Sequence, residues 1–376
     1  MRIFVCFLVV FNILMSNIVF ATEVSPIELS SPSAILLDKY GNIIFEKNAH
    51  ELREPASVTK IMTLLLTFEA IEIGQISLDD IVTVSELAQS QGGTQVYLEK
   101  GEQISVDELI KSVAVSSAND AATALAEYIS GSRDAFVDLM NQRAKELSMN
   151  NTTFKNPTGL HTEGHLTTAF DIALMSVELL KHEKIYAYTT IWMDSIRDGS
   201  FELANTNKLL KSYDGIVGLK TGYTSQSMYC ISAVANRDSQ EFIAIVMGAE
   251  TIDNRTNDVC KMLDYAFNNY KITKITYENS ISPVKVVKGV SNFVDVEIIY
   301  PTSHVLLKNN SEITHLITLE EYLQAPVNSG EKIGQIEFFS DGKELLTADI
   351  VTKYAIPELT FQISLQNFLK YFFMYF

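Results

Sequence analysis

The chain has 376 residues, of which 47% are hydrophobic and 20% are charged, a balance that is typical of a globular protein and excludes a largely disordered chain. Its 46 acidic and 29 basic residues give a formal net charge of −17, so the body should repel phosphate backbones and we expect no nucleic-acid partner. The length predicts two or three domains.

The N-terminal segment has the layout of a secretory signal peptide. Arg2 precedes an apolar run over residues 3–14, and the Val-Phe-Ala sequence at residues 19–21 resembles a cleavage site. We therefore predict that residues 1–21 are a signal peptide and that the mature chain is extracytoplasmic. An uncleaved membrane helix is the alternative. It is disfavoured because polar residues interrupt the apolar run.

Residues 22–272 mix helical and strand patterns and are expected to form one domain. Ser33–Asp38 and Asn42–Phe45 flank a Tyr-Gly-Asn turn and are predicted to form a hairpin. Tyr229–Ala235 and Glu241–Met247 are predicted to form a second one. The apolar periodicity predicts helices over residues 58–72, 105–128, 134–147, 169–182 and 256–270.

Short strand patterns replace the helical ones in residues 273–356, which are predicted to form a separate all-β domain. Phe293–Tyr300 alternates apolar and acidic residues and is predicted to be one of its strands. Ile333–Phe339 and Glu344–Val351 bracket Asp341-Gly342, a dipeptide that strongly favours a hairpin turn.

The C-terminal segment, residues 357–376, is predicted to be an amphipathic helix. On a helical projection its large apolar side chains fall within an arc of about 140°. The segment is too short and too polar to span about 30 Å of hydrocarbon, so we expect residues 359–376 to lie on a membrane surface. A core helix docked on the chain's own body is the alternative. The apolar residues of the arc are Phe361, Leu365, Phe368, Leu369, Phe372, Phe373 and Phe376.

Cysteine and histidine patterns give little indication of redox or metal chemistry. Once Cys6 leaves with the signal peptide, Cys230 and Cys260 remain, and two buried thiols are favoured although the spacing leaves a disulfide open. His161 and His165 are four residues apart, but the order His-Thr-Glu-Gly-His and its glycine indicate a loop rather than a zinc-binding helix. We expect no metal ion and no cofactor.

A serine and a lysine at the start of the first predicted helix are candidate catalytic residues. Ser57 and Lys60 are three residues apart, so on a helix their side chains share one face. A serine hydroxyl needs a base to take its proton, and a lysine is such a base when burial or nearby cations lower its pKa. A capping serine and a surface lysine are the ordinary alternative, and the tetrad alone favours that alternative.

Two later motifs change this balance. Ser117 and Asn119 stand between apolar stretches and supply a proton relay and an amide. Lys220 and Thr221 supply a cation and a hydroxyl for a substrate carboxylate, and Gly222 allows close approach of the backbone. The three motifs, S-x-x-K, S-x-N and K-T-G, occur in this order, and we expect them to converge on one cleft.

In these motifs the chain resembles the penicillin-recognising serine enzymes, and most of all the secreted serine D-alanyl-D-alanine carboxypeptidases, the low-molecular-mass penicillin-binding proteins. The resemblance covers nearly the whole chain. It implies an α/β (α+β) penicillin-binding transpeptidase/β-lactamase-like catalytic domain, a small all-β C-terminal domain and a membrane-bound tail. The matching segments are residues 55–63, 117–122, 156–160, 205–210 and 218–224.

The resemblance also implies a role for each motif residue. Ser57 would be acylated by the penultimate D-alanine of a peptidoglycan stem peptide or by a β-lactam antibiotic, and Lys60 would be the general base. The residues that would assist proton transfer and orient substrate are Ser117 and Asn119; those that would bind the terminal carboxylate are Lys220, Thr221, Gly222 and, with weaker support, Arg255. The oxyanion hole would use the backbone N–H of Ser57 and that of Ser225 or a near neighbour.

Other functions on the same fold remain open at this point. A D,D-endopeptidase or transpeptidase would share the acylation step, and a β-lactamase would share the three motifs. The E-x-x-L-N sequence of class A β-lactamases does not occur between Asn119 and Lys220. A catalytically silent cell-wall binding protein is disfavoured because all three motifs are intact.

Overall fold

Two domains and a C-terminal helix follow one another along the chain. The computed structural model describes residues 27–302 and 304–375, so the predicted signal peptide lies outside the described residues. The helices of the first domain are α1 Lys60–Glu72, α2 Glu86–Gln89, α3 Val106–Val115, α4 Asn119–Ser130, α5 Arg133–Glu146, α6 Ala169–Leu180, α7 Tyr186–Thr189, α8 Leu209–Ser212 and α9 Ile252–Asn269. Its strands are β1 Ser33–Asp38, β2 Ile43–Lys47, β3 Ile81–Thr83, β4 Gln103–Ser105, β5 Met193–Ile196, β6 Phe201–Ala204, β7 Ile216–Thr224, β8 Met228–Arg237 and β9 Gln240–Ala249.

A five-stranded antiparallel sheet in the order β2-β1-β9-β8-β7 is the centre of this domain. Helices cover both of its faces, because alternate residues of a strand point to opposite sides and both sets are apolar here. Ala34 and Leu36 belong to the core that includes α9, whereas Ile35 and Leu37 belong to the larger core that includes α1 and α6. The edge strand β7 is left open along one side.

Helix α1 is buried on all sides from Lys60 to Phe68. A helix whose apolar residues cover its whole circumference packs in the centre of a domain, and α1 does so here. A short 3₁₀ turn, Ala56–Thr59, precedes it and contacts β7. The start of α1 is therefore held firmly between the helical layer and the open edge of the sheet.

Both predicted hairpins of this domain are confirmed: β1 pairs with β2, and β8 pairs with β9. The prediction of one continuous helix over residues 105–128 is wrong. The helix ends at Val115 and a new one begins at Asn119, with Ser117 at a φ of +64° between them. Apolar periodicity continues on both sides of this break, so the pattern alone does not indicate it.

The second domain consists of strands and their connections: β10 Tyr270–Lys274, β11 Val284–Val287, β12 Phe293–Val294, β13 Val296–Ile299, β14 His304–Lys308, β15 Ile313–Leu319, β16 Tyr322–Gln324, β17 Lys332–Ser340 and β18 Lys343–Thr352. The order β13-β18-β17-β15 forms one sheet and β12-β11-β16 forms another. The predicted Asp341-Gly342 hairpin is confirmed by the pairing of β17 with β18. The predicted strand Phe293–Tyr300 is interrupted at Asp295, where the chain passes from one sheet to the other.

The C-terminal helix, α10, spans Phe361–Tyr375. Phe361, Phe368 and Phe373 are 84%, 65% and 76% exposed, so these side chains do not pack against the two domains as the core-helix alternative requires. Among the described residues, no helix has both the length and the apolar character needed to cross a membrane.

Candidate active site

The structure brings Ser57 and Lys60 into contact at the start of α1. Lys60 Nζ lies 3.0 Å from Ser57 Oγ. Ser57 is half-buried, which leaves its hydroxyl accessible, whereas the Lys60 side chain has no exposed surface. The alternative of a capping serine and a surface lysine is therefore wrong for this pair.

Lys60 is surrounded by acceptors as well as by the serine. Its Nζ donates to Asn119 Oδ1 and to the backbone carbonyl of Thr158, both at 2.6 Å. Burial, followed by the nearby charge of Lys220, holds the pKa of Lys60 well below its usual value, and Asp120 offsets part of this effect. An amine with a lowered pKa, in contact with a serine hydroxyl, can accept the proton of that hydroxyl.

The second motif lies in the break between α3 and α4. Ser117 is 4% exposed, and its Oγ has no hydrogen-bond partner among the described residues. Asn119 is fixed at the first turn of α4, since its Nδ2 donates to the Gly92 carbonyl at 2.7 Å while its Oδ1 holds Lys60. The buried, unpaired hydroxyl is the kind of group that a bound substrate or a proton relay completes.

The buried carboxylate of Asp120, next to Asn119, holds a neighbouring loop in place. Asp120 accepts hydrogen bonds from the backbone N–H groups of Val96 and Leu98. These bonds hold the loop that carries Gly92, and with it the orientation of Asn119. The sequence analysis did not assign a role to Asp120.

The edge strand β7 forms the opposite wall. Lys220 is 1% exposed, and burial together with the charge of Arg255 lowers its pKa to about 7. Thr221 Oγ1 donates to Thr206 Oγ1 at 2.8 Å. A Cβ at Gly222 would lie 3.0 Å from the backbone N of Ser57 and 3.1 Å from the carbonyl oxygen of Pro55, so only glycine lets β7 approach the nucleophile this closely.

Arg255 lies next to this wall, on the first turns of α9. It is 7% exposed, its guanidinium carbon is 5.9 Å from the ring centre of Tyr229, and its Nε has no partner among the described residues. Its charge acts on Lys220, which places the two cations at one end of the cleft. A surface arginine, the alternative from the sequence, is excluded by this burial.

The loop that carries Pro157 and Thr158 packs against the start of α1 and completes the site. The three sequence motifs do not indicate this contact. Thr63 Oγ1 donates to the Pro157 carbonyl at 2.7 Å, and Thr59 Oγ1 lies 3.0 Å from His165 Nε2. Burial lowers the pKa of His165 to about 4, so this histidine is neutral and structural. These bonds tie the loop to α1 and bring the Thr158 carbonyl to Lys60. A backbone carbonyl leaves no trace in residue type.

Gly159 is the tightest point of this loop, and we expect Gly159→Ala to unfold the protein at lower denaturant. An added Cβ would lie 1.8 Å from the Ala56 carbonyl oxygen, and φ is +83°. The expected cost is about 3 kcal/mol or more. Gly164→Ala is the matched control, because its φ is +77° but the nearest atom is the flexible Lys155 Cε at 3.4 Å. Equal unfolding midpoints for the two variants would contradict this prediction.

The histidine and cysteine side chains serve other purposes. His161 Nδ1 pairs with the Glu54 carboxylate at 3.0 Å, away from the environment of His165, and the described residues contain no group of His, Cys, Asp or Glu that could hold a metal ion. Cys230 is a buried free thiol whose pKa burial raises to about 11, and Cys260 is a partly buried free thiol. The favoured prediction of two unpaired thiols is confirmed, although Cys260 is less buried than expected.

The geometry defines a class: a serine acyl-transfer enzyme with a lysine base and a cationic pocket for a carboxylate, built on the penicillin-recognising fold. Comparisons with known proteins agree. Residues 20–251 match the family model described as D-alanyl-D-alanine carboxypeptidase, and residues 270–358 match the C-terminal domain of penicillin-binding protein 5. The chain belongs to the D-alanyl-D-alanine carboxypeptidase family, peptidase S11.

Individual relatives support the same assignment. The D-alanyl-D-alanine carboxypeptidase DacF of Bacillus subtilis is 42% identical over 85% of this chain and 84% of its own length. Penicillin-binding protein 5 of Haemophilus influenzae superimposes with a TM-score of 0.79 at 28% identity, over 89% of this chain and all of that one. Penicillin-binding protein D2 of Listeria monocytogenes, in its ampicillin-bound form, matches with a TM-score of 0.59 at 31% identity, over 64% and 98% of the two chains.

The protein is thus a serine-type D-alanyl-D-alanine carboxypeptidase that acts on peptidoglycan, and a penicillin-binding protein. The predicted fold class, an α/β catalytic domain followed by a β-rich C-terminal domain, is confirmed.

Proposed function

We propose that Ser57 is the nucleophile that removes the terminal D-alanine from peptidoglycan stem pentapeptides through an acyl-enzyme. The contact of 3.0 Å between Ser57 Oγ and Lys60 Nζ carries this assignment. Lys60, in its neutral form, takes the hydroxyl proton as Oγ attacks the carbonyl carbon of the penultimate D-alanine. The peptide bond then breaks, a proton passes to the leaving nitrogen, and D-alanine departs.

The cationic end of the cleft binds the terminal carboxylate of the substrate. Lys220 and Arg255 supply positive charge in a buried setting, and Thr221 supplies a hydroxyl next to them. The body of the protein carries a net charge of −17, so this local positive potential is what attracts an anionic substrate. Because the charges are desolvated, they interact with a carboxylate more strongly than surface cations would.

The oxyanion hole combines the backbone N–H of Ser57 with that of Tyr223 rather than Ser225. Successive residues of an edge strand direct their N–H groups to opposite sides. The Thr224 N–H donates to Ser227 Oγ, on the side that turns into β8, so the Tyr223 N–H is on the open side that faces the nucleophile. Ser225 lies beyond the end of β7 and is exposed.

Deacylation reuses the same groups. Water attacks the ester carbonyl, and its proton passes to neutral Lys60, either directly or through the Ser117 hydroxyl, which gives up its own proton as it accepts one. The bond between the acyl carbon and Ser57 Oγ then breaks, and Oγ takes a proton back from Lys60. A β-lactam antibiotic is expected to acylate Ser57 by the same attack. In that case the leaving nitrogen stays attached to the acyl group and remains in the cleft, which hinders the entry of water.

Peptide mapping tests the nucleophile directly. We expect a protein sample treated with penicillin to carry one adduct, on the peptide that contains Ser57, because no other hydroxyl of the described residues is hydrogen-bonded to the buried Lys60. The measurement is mass spectrometry of a protease digest, with a sample denatured before penicillin addition as the control. An adduct on the peptide that contains Ser117 or Ser225 would contradict the assignment.

We also propose that α10 attaches the protein to the outer face of the cytoplasmic membrane after export. Phe361, Phe368 and Phe373 of this helix are 84%, 65% and 76% exposed, so the helix presents a large apolar surface. A helix of this kind binds the membrane interface through buried apolar area rather than by crossing the bilayer.

Substitution of two phenylalanines tests this attachment. We expect Phe368→Ser/Phe372→Ser to lower the partition coefficient for lipid vesicles at least about 100-fold, since each ring contributes roughly 1.5–3 kcal/mol when it leaves water. The control, Gln366→Ser/Asn367→Ser, changes the polar side of the same helix and should bind like the unmodified protein. Vesicle sedimentation measures both, and equal binding of the two variants would place the attachment elsewhere.

A further inference from the structure

The junction between the β-domain and α10 is fixed by backbone hydrogen bonds. Val290 N donates to the Pro357 carbonyl at 3.0 Å, and Leu359 N donates to the Lys288 carbonyl at 2.7 Å. Gly289 and Glu358 form an isolated β-bridge between these two bonds. The chain therefore leaves the domain beside the turn at residues 288–290, and α10 begins only two residues later.

Exposed apolar side chains gather around this junction. We call them the collar: Val290, Phe293, Tyr322, Tyr354 and Leu359, which are 45%, 55%, 58%, 42% and 44% exposed. Phe293 and Tyr322 flank Lys285 in one row across the sheet β12-β11-β16. Tyr354 donates its hydroxyl proton to Asp295, two residues from Phe293. A cluster of large apolar groups at one end of a small domain marks a contact surface.

Lysines accompany the collar. Lys285, Lys288 and Lys353 are exposed within it or next to it, against the carboxylates of Asp295 and Glu358. The carboxylates of Glu320 and Glu321 are also exposed, directly before Tyr322, so lysines and carboxylates are both present around the collar. Aromatic rings interleaved with lysines are the composition that proteins place at the level of lipid headgroups, where one end of each side chain is apolar and the other is wet.

We propose that the collar is a second membrane-contacting surface, which rests in the headgroup layer of the bilayer that holds α10. The inference rests on the proposed attachment through α10. The bonds at residues 288–290 and 357–359 bring Val290 and Leu359 of the collar to the start of the helix. Phe293 and Tyr322 lie on the strands that adjoin this junction, in the row of Lys285. The occupant is a lipid surface, whose headgroup layer accommodates aromatic rings together with charged side chains of either sign. The β-domain then contacts the membrane directly, and this contact restricts its orientation relative to the bilayer.

Depth-dependent quenching tests the proposal on the full chain. Phe293→Trp places an indole in the collar, and Leu316→Trp places one at a side chain that is 56% exposed on β15, at the far edge of the other sheet. When the protein is bound to vesicles that contain brominated lipid, the F293W indole should lose at least about half of its fluorescence, because an interfacial side chain reaches the boundary between headgroups and acyl chains. The L316W indole should keep its fluorescence. The signal of the native Trp192 is subtracted from the signals of both variants.

Each outcome decides between the two proposals. Vesicle binding with quenching of F293W alone supports the collar. Vesicle binding in which F293W and L316W are quenched equally little overturns the collar and leaves the helix as the attachment. No binding to vesicles of neutral or anionic lipid overturns both. Protection of F293W by dimerisation, seen in sedimentation without lipid, also overturns the proposal and assigns the surface to a second copy of the chain.

A double variant of the collar, compared with a control variant outside it, tests the same proposal by vesicle binding. We expect Phe293→Ser/Tyr322→Ser to weaken vesicle binding about 10-fold or more, since two exposed rings no longer leave water. Release of D-alanine from a soluble peptide should not change, because neither residue is near the cleft. Leu316→Ser is the matched control and should bind normally. Unchanged binding of the double variant would overturn the proposal.

Discussion

Ser57→Ala is expected to abolish both covalent penicillin labelling and release of D-alanine. No other hydroxyl is in contact with Lys60 among the described residues, so no group replaces the lost nucleophile. Enzymes of the serine acyl-transfer class lose on the order of 10⁴-fold to 10⁶-fold in turnover when the nucleophile is removed. Labelling with fluorescent penicillin and a D-alanine assay measure the two effects separately.

The loss would not arise from unfolding. Lys60 keeps its bonds to Asn119 and Thr158 in the variant, and Ser57 is only half-buried, so the unfolding temperature should stay within a few degrees of that of the unmodified protein. Ser212→Ala, at an exposed serine on α8, is the control and should label normally. Retention of covalent labelling by Ser57→Ala would show that the nucleophile lies elsewhere.

The sequence could predict the parts of the site that depend on the chemistry of particular side chains. Ser57, Lys60, Ser117, Asn119 and the Lys-Thr-Gly motif are side chains, or an obligatory glycine, whose chemistry is specific. Their order along the chain was enough to predict convergence on one cleft. The two hairpins of the first domain could be predicted in the same way, because each combines apolar strand segments with a short polar turn.

The parts that could not be predicted depend on tertiary geometry. The Thr158 carbonyl that holds Lys60 is a backbone group, which any residue could supply. The break at Ser117 needs a left-handed φ of +64° for a non-glycine residue, which packing on both sides imposes against local preference. The burial of Arg255 depends on how α9 packs against β8, a contact between elements that a single sequence does not display.

Replacement of Lys60 should separate its role as a base from its role as a positive charge. Lys60→Met removes the amine, and Lys60→Arg keeps a charge and donors for Asn119 and Thr158 but has a guanidinium that does not release its proton. We expect both variants to be acylated by penicillin about 10²-fold to 10⁴-fold more slowly, the usual contribution of a general base. Stopped-flow acylation rates measure this. An arginine variant that is acylated at nearly the normal rate would show that charge alone is needed.

The pH dependence of acylation follows from the two buried lysines and has opposite signs for them. Lys60 must be neutral to act, so kcat/KM should rise as pH passes its pKa, which burial and the charge of Lys220 hold well below the usual value of a lysine. Lys220 must be charged to bind the carboxylate, so kcat/KM should fall as pH rises through about 7 in the free enzyme. Lys220→Arg keeps its charge at higher pH, so we expect the falling limb to move upward in this variant, while the retained positive charge still holds the pKa of Lys60 low. If the falling limb does not move, Lys220 is not the group that controls carboxylate binding.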